Sequence, residues 1–111
     1  MGTLARGQEL VDLLEAEGIR STVDPALAAP PCVLIIPPNL TFDLNCGLTA
    51  RWQLVAVVPS AQTADRASWE ALDTLVDSVN QAMALETADL VAYTLSGRVY
   101  PAYLLSFQEA I

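Results

Sequence analysis

The run Arg51-Trp-Gln-Leu-Val-Ala-Val-Val-Pro59 constrains the chain most: it passes from polar to wholly apolar and stops at a proline. Leu54 to Val58 carry three valines with no polar alternation. That is the pattern of a strand covered on both faces, and it places this segment in the middle of a sheet.

A chain of 111 residues fits one domain spanning 1–111, with room for one sheet and two helices. Its apolar fraction is 53% and its charged fraction only 16%, against roughly 25% in an ordinary soluble domain. Mean hydropathy is +0.40. A domain of this size cannot hide all of that inside itself, so the surplus calls for cover by copies of the chain or by a partner. The alternative is a greasy monomer. Thirteen acidic residues face five arginines with no lysine or histidine, a formal charge of −8. Such a surface repels phosphate and argues against a bound nucleic acid. The start Met-Gly-Thr-Leu-Ala-Arg lacks the pattern of a secretory signal, and no apolar run approaches a membrane span. Cys32 and Cys46 are therefore expected to be reduced, each a small core residue rather than half of a disulfide.

In chain order, Leu4, Leu10, Val11 and Leu14 recur at helical spacing, with Glu9, Asp12, Glu15 and Glu17 largely opposite. A helix from Thr3 to Glu17 is predicted, with Thr3 as its cap and Gly18 as its stop. Ile19–Val23 alternates as a short strand, and Asp24-Pro25 starts a single turn. Cys32–Ile36, closed by Pro37-Pro38, reads as one strand; Leu40, Phe42 and Leu44 read as another, turning at Asn45-Cys46-Gly47 into the central strand. Trp69, Leu72, Leu75, Val76, Val79 and Met83 mark an amphipathic helix over 65–85, with Trp69 a core or interface residue. Thr87–Leu95 and Arg98–Phe107 form a final hairpin around Ser96-Gly97. Pro101, which cannot donate to a ladder, predicts an edge or a bulge. The fold class is α+β: one mainly antiparallel or mixed sheet with two amphipathic helices packed on it.

No catalytic constellation emerges. Without histidine the usual nucleophile and base pairs cannot be assembled. Asp73 and Asp77, a turn apart with Glu70 nearby, have the spacing of an acid/base or hard-cation pair, but the phase of the apolar stripe makes them a solvated helix face. Neither a phosphate loop nor a zinc ligand set is present in the sequence. The expectation is no enzyme, no cofactor and no metal. Arg51 and Arg98 are read as interfacial pairs or solvated strand ends. Tyr93, Tyr100 and Tyr103 suit an interface, or plain sheet packing.

Taken together, a first amphipathic helix, Asp24-Pro25, Pro30-Pro-Cys-Val-Leu-Ile-Ile-Pro-Pro38, Trp52 leading into Leu-Val-Ala-Val-Val-Pro59, an Ala- and Asp-rich helix, and Gly97-Arg-Val-Tyr-Pro-Ala-Tyr-Leu-Leu105 resemble the tail terminator proteins of long-tailed phages, particularly those of actinobacterial hosts. The likeness covers essentially the whole chain. It implies a small α+β protein of the virion, assembled in the host cytoplasm, that forms a homo-hexameric ring at the head-proximal end of the tail. Its partners would be the major tail tube protein and a head-completion or stopper protein, with DNA passing through unbound and no membrane involved. The family has no catalytic residues to carry over. Phe42, Leu44, Arg51, Tyr93, Arg98, Tyr100 and Tyr103 are the expected interface residues. A head-side connector and a dimeric acidic binding module of the cytosol are the competing expectations.

Overall fold

The structure is a computed structural model and describes residues 2–43, 47–59, 65–95 and 97–110. Helix α1 (Thr3–Ala16) is followed by β1 (Ser21–Thr22), a single 3-10 turn at Pro25–Leu27, β2 (Cys32–Asp43) and β3 (Gly47–Val57). Helix α2 (Asp65–Ala82) then leads to β4 (Thr87–Leu95) and β5 (Arg98–Ala110). The fold is α+β, as the alternation of patterns predicts. The five strands lie in the order β1-β2-β3-β5-β4, with only the β1–β2 pair parallel.

The apolar run is the middle strand. Leu54 and Ala56 point into the larger core, where they meet Leu10, Val11 and Leu14 of α1 and Val79 of α2. Val55 and Val57 point the other way, into a smaller cluster with Leu34 and Ala102. Neither helix contributes to that second cluster; Ile36, Val91, Tyr93, Tyr100 and Leu104 pack around it instead. Continuous hydrophobicity is therefore needed on both faces, which is why the run shows no alternation.

Local signals fix several boundaries. Gly18 takes φ +76, the left-handed conformation expected of a residue that closes a helix. The Asp24 carboxylate accepts the Ala26 N–H at 2.9 Å and caps the 3-10 turn. Thr3 is not the cap of α1: it already lies in the helix, and Gly2 precedes it without a side-chain bond. The second helix ends at Ala82 rather than 85, where Asn80 Oδ1 accepts the Leu85 N–H at 3.0 Å and gives the chain an alternative to another turn.

Three expectations are corrected. Cys32–Ile36 and Leu40–Asp43 belong to one strand, β2, because the pairing with β3 resumes beyond Pro37-Pro38 after a register shift between Ile36 and Asn39. A bulge accommodates residues that cannot donate to the ladder, so the prolines interrupt pairing without ending the strand. The short strand after α1 is only Ser21–Thr22. Pro101 lies neither at an edge nor at a bulge: it pairs in register with Ala92, and β5 runs between β3 and β4. Its carbonyl accepts the Val58 N–H at 3.5 Å, so its donorless nitrogen also faces β3, just where β3 ends, and no β4 bond is lost. The turn expected at Asn45-Cys46 lies outside the described residues, as does Ser96 of the last turn; Gly47 and Gly97 both take positive φ.

Candidate functional site

Three groupings of side chains stand out from the core. The first joins the beginning of the fold to its end. Arg6 on α1 donates Nε and Nη2 to the Glu109 carboxylate at 2.8–3.1 Å, and the Trp52 indole N–H donates to the same group at 3.1 Å. Arg6 also reaches Glu9 at 2.9 Å. The Arg6 bonds hold the Glu109 carboxyl below its ordinary value of 4.5, against an opposing effect of burial and with help from Trp52. The guanidinium is raised in turn, first by Glu109 and then by Glu9. With its folded value depressed, Glu109 contributes stability that is full above the unfolded value and is lost as pH falls through the folded one. The Glu109 side chain is 20% exposed and Arg6 35%, so solvent screening reduces the pair's worth to about 1 kcal/mol. Glu109→Gln is expected to lose that amount near neutral pH and to converge on wild type only as pH falls below 4.5 and through the depressed carboxyl value, as read by urea unfolding across pH. Identical pH profiles for the two proteins would show that the carboxylate charge is immaterial.

A second grouping lies on the face away from the helices. Arg51 pairs across to Asn39 and Gln108, in mid-sheet rather than at a strand end. Its guanidinium donates to Ser106 Oγ at 3.4 Å and lies 3.9 Å from the Glu86 carboxylate. Thr87 and Ser106 hydroxyls hydrogen-bond one another, which satisfies the buried Ser106. Arg51 is thus engaged within its own chain.

The third grouping is the β4–β5 hairpin, whose turn end runs on past Val57, the last residue of β3. Tyr93 and Tyr100 face each other across the strands and pack on the smaller cluster. Tyr103 points to the opposite face and packs on the larger core. Arg98 is exposed opposite Leu95 at the turn. Phe42, 71% exposed, lies at the far end of the sheet in the β2–β3 hairpin; Leu44 lies outside the described residues. The six described residues of the seven expected at an interface therefore do not form one patch. Among the described residues of that set, Tyr93, Tyr100 and Arg98 come together.

Exposed apolar residues not among the seven lie on the opposite face of the same hairpin. Leu90 is 69% and Val99 62% exposed, on the helix-side face but beyond the reach of α2, which packs on β3 and β5. Trp69 is in phase with the buried stripe of α2 yet 65% exposed. The available signal is in β4 itself, where both alternating sets, Leu90/Ala92 and Val91/Tyr93, are apolar.

Reactive chemistry is sparse in this geometry. Among the described residues no three of His, Cys, Asp and Glu converge on a point. Asp73 and Asp77 are exposed on α2. Cys32 is buried, and burial pushes its thiol up, away from the reactive thiolate. A cavity of about 110 Å³ between α1 and β2 is lined by Leu4, Gly7, Ile35, Ile36, Pro37 and Trp52, among others, with no titratable group. An open groove of about 660 Å³ between the C-terminal end of α1 and the start of α2 has charged residues only at Glu17, Arg20 and Glu70. No helix among the described residues is long and apolar enough to cross a membrane. Comparison with protein-family models, curated proteins and solved structures finds no match.

Proposed function

We propose that the protein is a structural assembly subunit: a tail terminator that forms a ring on the head-proximal end of a phage tail tube, stops its polymerisation and joins it to the head. The observation that carries this reading is surface area. The chain exposes 6694 Å², whereas a globule of 11.9 kDa exposes about 5,900 Å². The excess, with Phe42, Trp69, Leu90 and Val99 uncovered, suits a chain made to be covered by neighbours. The resemblance in Pro30–Pro38, Trp52–Pro59 and Gly97–Leu105 supplies the kind of neighbour. Terminating a polymer requires one face that docks on the tube and another that offers no further tube site. In such a ring the net charge of −8 would keep passing DNA from adhering, with carboxylates lining the channel.

The test is electron microscopy of tail-tube protein polymerising with and without this chain. Short tubes capped at one end are expected; an unchanged length distribution overturns the reading. Capping of a portal complex instead of a tube would assign the chain to the head side as a connector or stopper. A dimeric acidic binding module is the second reading, favoured by the open edge of β4.

A further inference from the structure

We infer that β4 is a pairing edge for β4 of a second copy of this chain, the two strands running antiparallel about a two-fold axis at Val91. The inference goes beyond the ring reading and does not depend on it: it concerns the free chain, because a two-fold contact between neighbours would make both faces of a ring alike, so such a dimer parts before a ring with two unlike faces forms.

The edge is open in a specific way. The Pro101 carbonyl faces β3, while the Ser106 carbonyl accepts the Glu86 N–H on the β4 side. Alternation along β5 therefore turns residues 100, 102, 104 and 106 toward β4, where they meet Tyr93, Val91, Asp89 and Thr87. The backbone groups of Ala88, Leu90, Ala92 and Thr94 consequently point away from the sheet, toward the free side. Natural edges of this length are blunted by lysine, proline, an inward charge or a bulge. β4 has none of them: its pairing with β5 is unbroken from Thr87 to Leu95, and Asp89 is its only charged residue, exposed. The opposite edge is protected, with β1 against the start of β2 and the proline pair and register shift beyond it. The two edges of one sheet are thus treated differently.

Self-pairing fits this strand. A two-fold axis at Val91 gives the only register that engages all nine residues of β4. It sets Leu90 against the partner's Ala92 and Ala88 against the partner's Thr94, so each outward backbone group meets an outward group. Asp89 then faces the partner's Tyr93, and no like charges meet, which matters in a chain of charge −8. The exposed Leu90 and Val99 lie on the face that such pairing would bring beside its copy.

Light scattering of the wild-type chain is expected to give twice 11.9 kDa. Leu90→Lys is expected to give a single subunit with unchanged circular dichroism, since that side chain is already in solvent. Under oxidation, Val91→Cys should link to its copy, because directly opposed residues lie about 4.5–5.5 Å apart between Cα atoms. Leu90→Cys, which faces a different residue, should link far less, and wild type, with Cys32 and Cys46, sets the background. A monomeric wild type, a dimer that survives Leu90→Lys, or equal linking by the two cysteine variants overturns the inference. A larger ring untouched by Leu90→Lys also overturns it while supporting the ring. A β4 dimer that leaves tube lengths unchanged sinks the ring reading alone.

Discussion

Trp52→Ala is expected to lower the free energy of unfolding by about 3–5 kcal/mol, a fall in melting temperature of roughly 12–20 °C for a domain of this length. Trp52 is the largest fully buried side chain and sits on the central strand beneath α1. Truncation opens a cavity next to the existing space at Gly7 and Ile35, and it also withdraws the indole donor from Glu109. Trp52→Phe weights the two effects differently: it keeps a six-membered aromatic ring in the site while losing the indole donor and part of the bicycle, for about 1–2 kcal/mol. Thermal and urea unfolding of the pair measures the difference. Equal losses would mean that the bond to Glu109, and not the packing, is what Trp52 supplies.

Leu14→Ala is expected to cost about 2–5 kcal/mol. Leu14 is fully buried and, with Leu10, Val11 and Ile19, fixes α1 against β2 and its neighbours. The adjacent Leu13 is 43% exposed, so Leu13→Ala should change stability by no more than about 0.5 kcal/mol. Hydrogen exchange adds a local readout: amides of α1 should lose protection in Leu14→Ala before those of β3 and β5 do. Uniform loss across the sheet would show that the helix and the strands open as a single unit.

These two sites illustrate what can be read along a chain. The 3.6-residue spacing of Leu10, Val11 and Leu14 and the unbroken run at Leu54–Val58 are local, and each specifies an element and the side it buries. The hairpin at Gly97 and the stop at Gly18 are equally local, since positive φ selects the residue. Other features depend on where distant segments meet. Arg6 and Glu109 are separated by 103 positions, and no spacing rule links them. Trp69 keeps the phase of its helix yet is left 65% exposed, which phase alone does not tell. Pro101 reads as an edge signal because periodicity cannot say that β3 stops beside it. Arg51 reads as an interfacial pair or a solvated strand end because Glu86 and Ser106, its partners, arrive from the other half of the chain. The pairing of Tyr93 with Tyr100 follows from a hairpin about Ser96-Gly97, whereas the open backbone of β4 follows only from strand order.

The β2–β3 and β4–β5 hairpins extend from the sheet toward opposite ends of a body measuring 52 × 25 × 25 Å. An object about twice as long as it is wide tumbles anisotropically, so amide relaxation rates should depend on each bond's angle to the strands. The same proportions set the thickness of any ring built from it. Subunits standing upright would make a collar about 52 Å tall, and subunits lying along the circumference a washer of about 25 Å. A side view in the microscope would distinguish them at a glance.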